Sequence, residues 1–351
     1  MEETDFFDSI KNHYEKKLPF VVFKKPNKNT VKAFLQSNAV LNTSDSFNKK
    51  GFVFSPFSNK NNDPTVWLYN EECTILETSF IAKKYNYSLT VELNLKAKVQ
   101  HVSKVKKAIE QIKLNELKKV IISRTEEHEV EIADPINWFK KCINFYPSAF
   151  SYCWYHPKIG LWLGASPETL VSLKENKFST MALAGTLPYN ESLDVKWEVK
   201  ELEEQQLVVD SILESLKEVA KSVDKNKTIT QKAGSLVHLK TEIKGEIKTK
   251  NNIKVLLEIL HPTSAVCGIP KEKSKEYILK EEGYNRKYYT GILGEFNTSD
   301  TTDLFVNLRC LEIENNIAKI YVGGGVTKLS NAEKEWEETL NKLQTMKKVL
   351  N

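Results

Sequence analysis

Residues 150–187 read FSYCWYHPKIGLWLGASPETLVSLKENKFSTMALAGTL, and this stretch decides the fold class. Aromatic and β-branched residues recur between breaks at Pro157, Gly160, Pro167 and Asn176, the pattern of short antiparallel strands joined by turns. Helical spacing lies on both sides of it. Upstream, Asp134-Pro135 opens a helix with Pro at its first position and Ile136, Phe139, Cys142 and Ile143 on one face, closing at Pro147. Before that, Ser103 is placed to cap a helix carrying Val105, Ile109, Ile112 and Leu117. That helix ends at the β-branched run Val120-Ile121-Ile122, so Lys119 sits where helix passes to strand. Near the N-terminus, Phe20-Val21-Val22-Phe23 predicts a strand, Pro26-Asn27 a turn and residues 30–35 a helix.

Downstream, the spacing predicts a helix over residues 194–217, with Val195, Val199, Leu202, Gln206, Val209, Leu213 and Leu216 as its core stripe. The last helix begins at a capping box, Ser330 with Glu333, and turns Trp336, Leu340, Leu343 and Met346 inward. Hairpins alternating with helices point to an α+β fold and away from a parallel doubly wound sheet. Gly323-Gly324-Gly325 is followed by Val-Thr-Lys, which is neither a dinucleotide fingerprint nor a phosphate loop.

Composition adds bounds. No Pro/Gly/Ser-rich linker, charge block or repeat divides the 351 residues, so one globular unit is expected. Apolar runs are too short to span a bilayer, and the acidic start Met-Glu-Glu-Thr-Asp is unlike a signal peptide; a cytoplasmic protein with no membrane partner is expected. The five cysteines show no CxxC spacing, which argues for reduced thiols and against a zinc site. The net charge of +5 arises from 51 basic and 46 acidic residues that are interspersed. Pairs such as Lys24-Lys25, Lys49-Lys50 and Lys83-Lys84 then read as solvated faces, and no nucleic-acid-binding signature accompanies them.

Two features carry chemistry. Residues 260–270, Leu260-His261-Pro262-Thr263-Ser264-Ala265-Val266-Cys267-Gly268-Ile269-Pro270, fit no strand or helix: two prolines and a glycine shape a loop that offers His, Thr and Ser groups. Glu335, Glu338 and Lys342 share one helical face, and Glu201 with Glu204 repeats the acidic i, i+3 spacing. Such pairs are ordinarily solvated. Facing one another, they would make a hard-oxygen site of the kind Mg²⁺ takes, with waters and an anionic substrate completing the shell.

The loop belongs to an ordered set. Upstream are Lys119-Val120-Ile121-Ile122-Ser123-Arg124, Gly164-Ala165-Ser166-Pro167-Glu168, Leu183-Ala184-Gly185-Thr186 and His238-Leu239-Lys240-Thr241. Downstream are Glu282-Gly283-Tyr284-Asn285-Arg286-Lys287-Tyr288-Tyr289-Thr290-Gly291, Asn307-Leu308-Arg309, the triple glycine and Glu335-Trp336-Glu337-Glu338. This order resembles the chorismate-utilising enzymes: isochorismate synthases, salicylate synthases, anthranilate synthase large components and aminodeoxychorismate synthases. The likeness runs over about residues 100–350 and is weak over about 1–95, within one chorismate-binding domain.

The resemblance implies a large antiparallel β-sandwich with helices packed outside and the active site between the sheets. It implies Glu204 and Glu338 as Mg²⁺ ligands, direct or through water, supported by Glu201 and Glu335. Chorismate brings two carboxylates, and Arg309, with a planar fork, and Lys342, a point charge, are implied to meet them. Small residues at Gly185, Thr186, Ala265 and Gly323 would let backbone N–H groups approach. His238, alone, reads as a hydrogen-bonded core histidine; its binding role rests on the likeness. In the resembled enzymes the residue matching Lys119 activates water for attack at C2, and that matching Glu168 protonates the departing C4 hydroxyl. A desolvated lysine releases its proton more readily, and a buried glutamate keeps one, so both residue types suit these roles.

The implied activity is isochorismate synthase, an isomerase of the menaquinone and siderophore routes. Anthranilate synthases carry glutamine where this chain has Lys119, and aminodeoxychorismate synthases a nucleophilic lysine where it has Ala184. Both readings lose support, and with them the need for a glutaminase subunit; a monomer is expected. Salicylate synthases share Lys119 and Glu168 and remain the alternative, with a pocket at Val266 and Tyr289 expected to disfavour their elimination step. A non-catalytic chorismate-binding regulator on the same scaffold is the reading outside enzymology.

Overall fold

The computed structural model describes residues 1–82, 94–130, 134–249 and 253–351. Among these, two antiparallel sheets of nine and ten strands carry seven helices on their outer faces. The helices are Glu3–Glu15 (α1), Leu95–Lys113 (α2), Pro135–Phe145 (α3), Val199–Leu216 (α4), Ile253–Leu260 (α5), Lys271–Glu281 (α6) and Ala332–Leu350 (α7).

The first sheet runs Gly268–Ile269, Lys119–Glu129, Ile317–Val326, Cys310–Glu314, Gly160–Ser166, Phe150–His156, Phe20–Lys24, Thr30–Gln36 and Cys73–Ser79. The second runs Ala220–Lys225, Leu236–Ile247, Lys177–Pro188, Thr169–Lys174, Thr301–Val306, Ile292–Thr298, Gly51–Ser55, Val66–Tyr69 and Asn42–Thr43, with Ile229–Ala233 also on Leu236–Ile247. Between them lies an aromatic core that includes Phe23, Phe54, Phe150, Trp154, Trp162 and Tyr288. α1, α3 and α7 cover the outer face of the first sheet, α4 and α5 that of the second. Strands buried on both faces need no alternation, which is why Phe20–Lys24 is apolar nearly throughout.

The strands expected over residues 150–187 are all present but belong to two sheets. The chain crosses from one to the other between Ser166 and Thr169, at Pro167-Glu168. Four elements differ from expectation. Residues 30–35 are a strand, Thr30–Gln36, because pairing with Phe20–Lys24 across the Pro26-Asn27 turn outweighs local spacing. α2 begins at Leu95, capped by Asn94 rather than Ser103, and ends before Leu117. α7 is capped by Asn331, whose Oδ1 accepts from Glu333 and Lys334 N–H, while Ser330 Oγ instead donates to Glu335 at 2.7 Å.

α4 departs most. It begins at Val199 rather than 194, and Val199 and Leu202, expected in the core, are 64% and 49% exposed. Its inward face is Glu201, Glu204, Gln205, Val208, Val209, Ile212 and Leu216. Of the inward acids, Glu204 meets Lys119 of the first sheet, and Lys200 of the helix's own first turn bridges Glu204 and Glu335. Lys24 is also corrected: it is buried, and its Nζ donates to the carbonyls of Lys25, Lys28 and Pro147. The Lys83-Lys84 pair lies outside the described residues.

Candidate active site

One cavity, about 660 Å³ counting its open mouth, lies where the crossover, the long loop and the glycine run converge. Its walls include Glu168, Ala184, Gly185, Thr186, Glu204, His238, Ala265, Arg309, Gly323, Glu338 and Lys342. A register shift between Ala184 and Thr186, opposite Leu239 and His238, turns the Leu183–Thr186 stretch into it. Lys119 lies behind the wall, fully buried, with Nζ 3.1 Å from Glu204 Oε1 in an ion pair that lacks hydrogen-bond geometry. It is desolvated as expected, yet faces a carboxylate. Glu201 and Glu335 line an adjoining cleft with Thr186, Lys200 and Glu338.

Glu168 is held by the crossover: Ser166 Oγ donates to Val306 O at 2.5 Å, Glu168 N–H donates to Ser166 Oγ at 3.3 Å, and Glu168 O accepts from Val306 N–H at 3.1 Å. Burial raises its pKa to about 7, against Thr263, Lys119, Lys342 and Arg309, which favour the carboxylate. A glutamate here keeps a proton near neutrality.

Arg309 sits at φ 49°, a left-handed conformation uncommon for a side chain of its size. Its Nη2 donates to His238 Nε2 at 3.1 Å, while Nη1 is buried with no hydrogen-bond partner. His238 Nδ1 lies 3.0 Å from Gly185 O, which can only accept, so the proton is assigned to Nδ1 and Nε2 receives the arginine. Burial, Arg309 and Lys342 lower the His238 pKa to about 3. The histidine is therefore neutral and orients Arg309, whose free Nη1 suits an arriving carboxylate. Lys342 Nζ donates to Gly323 O at 2.8 Å and to Glu338 Oε1 at 2.6 Å.

Three of the four acids converge on a residue the sequence reading missed. Lys200 Nζ lies 3.1 Å from Glu335 Oε1, 3.4 Å from Glu204 Oε2 and 3.9 Å from Glu201 Oε1. One signal was available: Lys200 stands one turn before Glu204, on the same face. Among the described residues no three carboxylate, histidine or cysteine groups form a ready-made metal cluster, and the Lys200 ammonium lies against three of the acids. The donor set nevertheless fits a hard cation. Glu201 Oε2 and Glu335 Oε2 are buried without partners, and Gly325 keeps its face bare, since a Cβ there would overlap the Glu204 carboxylate. Burial and the neighbouring Glu338 and Glu204 raise Glu335 to about 7 despite Lys200. For Glu204, Lys119 and Lys200 outweigh burial and hold it below the ordinary range; for Glu338, Lys342 and Lys200 do so.

The long loop closes the site. Cys267 O accepts from Ile121 N–H at 2.9 Å, and Gly268–Ile269 pairs with Val120 and Lys119. Gly268, at φ 144°, allows this approach because a Cβ would overlap Lys119 O.

The sequence profile of the family described as chorismate binding enzyme matches residues 21–351. The chain belongs to this family. The match takes in most of the N-terminal part that showed only weak likeness by motif. Among curated chorismate-family relatives, isochorismate synthase DhbC of Bacillus subtilis (strain 168) is 32% identical over 194 residues, 52% of this chain and 49% of that protein. Isochorismate synthase EntC of Escherichia coli (strain K12) is 30% identical over 198 residues, 53% and 50% of the two chains. The chain thus spans about half the length of these relatives. The crystal structure of DhbC from Bacillus anthracis superimposes with a TM-score of 0.80 at 24% identity, covering 98% of this chain and 99% of that one, a likeness of fold. The sandwich with outer helices is therefore the family's architecture.

Proposed function

We propose that this chorismate-binding enzyme is an isochorismate synthase, a Mg²⁺-dependent isomerase acting on chorismate. Glu168 carries the reading: a buried carboxyl on the cavity wall, protonated near pH 7 and flanked by cations able to hold an anionic ring. In this scheme Lys119, as the free amine, takes a proton from water as its oxygen bonds to C2, both ring double bonds shift, and the C4 hydroxyl leaves as water with the proton of Glu168. Arg309, through its unpartnered Nη1, and Lys342 bind the carboxylates, with Gly185, Thr186, Ala265 and Gly323 as the small lining. Glu204 and Glu338 would hold Mg²⁺, with Glu201 and Glu335 beside them, and the ion would supply a hard positive charge for the ring carboxylate.

Ala184 supports water as the nucleophile: it lines the cavity, is 7% exposed and offers no amine. The scheme needs no ammonia, hence no glutaminase subunit. No described helix is long and apolar enough to cross a membrane; a cytoplasmic monomer is part of the proposed reading. Incubation of the purified protein with chorismate and Mg²⁺, followed by chromatography, tests the proposal. Isochorismate in reversible balance with chorismate is expected. Salicylate as the main product, or no turnover, overturns it.

A further inference from the structure

Thr263 is 5% exposed, and its Oγ1 donates to Glu168 Oε1 at 3.2 Å. Among the described residues this is the hydrogen bond made to that carboxyl. With the Thr263 hydroxyl assigned as donor, Oε1 is the acceptor, and the acid's own proton is placed on Oε2. The donor stands on a rigid frame. Thr263 O accepts from Val266 and Cys267 N–H at 3.1 and 2.9 Å, and Val266 O is held by Arg286 Nη1 at 2.9 Å. Arg286 is itself fixed by Glu282, through Nε at 2.7 Å and Nη2 at 2.5 Å. His261 Nε2 bonds Thr290 O at 3.0 Å, and Lys271 Nζ donates to His261 O at 2.7 Å.

We propose that Thr263 is a positioning residue for proton transfer: its hydroxyl anchors Glu168 Oε1 and reserves Oε2 as the proton-bearing oxygen presented to the bound ring. The proposal deepens the reading of Glu168 as general acid and rests on it. The charged groups acting on Glu168 are Lys119 from the first sheet, Lys342 from α7 and Arg309 from the bend before Cys310, all favouring the carboxylate. The Thr263 hydroxyl acts in the same direction, and burial opposes them all. Deleting the hydroxyl therefore moves Glu168 further toward the protonated form, while freeing the side chain to turn.

The test compares Thr263→Val with Thr263→Ser in the full-length protein with Mg²⁺. In the valine variant the alkaline limb of kcat against pH should move up by about one unit, the scale of one hydrogen bond to a charged group. Its plateau should fall on the order of tenfold from lost alignment, with KM changing less. Serine should restore both. A limb unmoved in the valine variant, with kcat and KM lowered together, assigns Thr263 a merely structural role and overturns the proposal. Infrared titration of the Glu168 carboxyl, identified by its loss in Glu168→Gln, reads the same shift without substrate. An unchanged infrared titration likewise overturns the proposal. A wild type inert toward chorismate would remove the functional reading, yet the infrared shift would still show whether Thr263 governs this proton. Should valine fail to fold, Thr263→Ala is subject to the same two measurements.

Discussion

Glu168 and Glu204 are both buried glutamates on one cavity, yet the structure drives them to opposite states. Glu168 has cations near it but none in an ion pair, and burial wins, raising its pKa to about 7. Glu204 has Lys119 Nζ at 3.1 Å and Lys200 Nζ at 3.4 Å, and their pull outweighs burial. Desolvation penalises the charged form of each; direct pairing decides between them. One region is thus built to hold a proton and the other to hold negative charge.

Removing either chemical group from this contrast should have the largest effect. Lys119→Ala or Glu168→Gln is expected to leave a folded protein by circular dichroism, with turnover of chorismate reduced about 10²-fold or more. Near wild-type turnover with normal binding would strip that residue of its role. On the charged side, Glu204→Gln or Glu338→Gln should weaken Mg²⁺-dependent turnover severely, visible as a shifted metal-saturation curve. Excess EDTA should abolish activity, and full activity under EDTA would remove the metal from the scheme.

The protonation contrast also predicts stability. A carboxyl whose folded pKa lies above its ordinary 4.5 binds its proton more tightly when folded. It therefore destabilises the fold progressively as pH rises from about 4.5 to about 7, by up to about 3 kcal/mol. Glu168→Gln should gain stability relative to wild type between pH 5 and pH 8 in urea unfolding. An equal difference at both pH values would mean that Glu168 is not strained by burial. The smallest effect expected is at Lys200. Lys200→Met should bind Mg²⁺ several-fold more tightly by calorimetry, because the ion no longer shares its carboxylates with an ammonium, and should lose thermal stability until the metal is added. Unchanged metal affinity would show that Lys200 and the ion do not compete.

Much of the site was legible because its residues carry chemistry in their types and order. Glu201 with Glu204 and Glu335 with Glu338 could be paired from i, i+3 spacing, and the shaped loop from its prolines and glycine. Lys200 was passed over despite its i, i+4 spacing to Glu204, since a lysine among acids on a helix is usually solvated. Thr263 was visible as a loop hydroxyl, but its partner lies 95 positions away. The apolar stripe on α4 misled for a related reason. Periodicity identifies the face that avoids water, and this helix buries acids where Lys119 and its own Lys200 pair with them.

The sequence alone determined that the chain alternates hairpins with helices, that it resembles the chorismate-utilising enzymes and which acids, glycines and basic groups are candidates, because these follow from local spacing and residue chemistry. Only the tertiary structure decided that the strands of residues 150–187 divide between two sheets, with Glu168 at the crossing, and that Thr30–Gln36 is a strand. It also decided which carboxyls keep protons and which keep charge. That depends on burial and on cations brought within about 3 Å from distant parts of the chain, distances that no spacing in the sequence encodes.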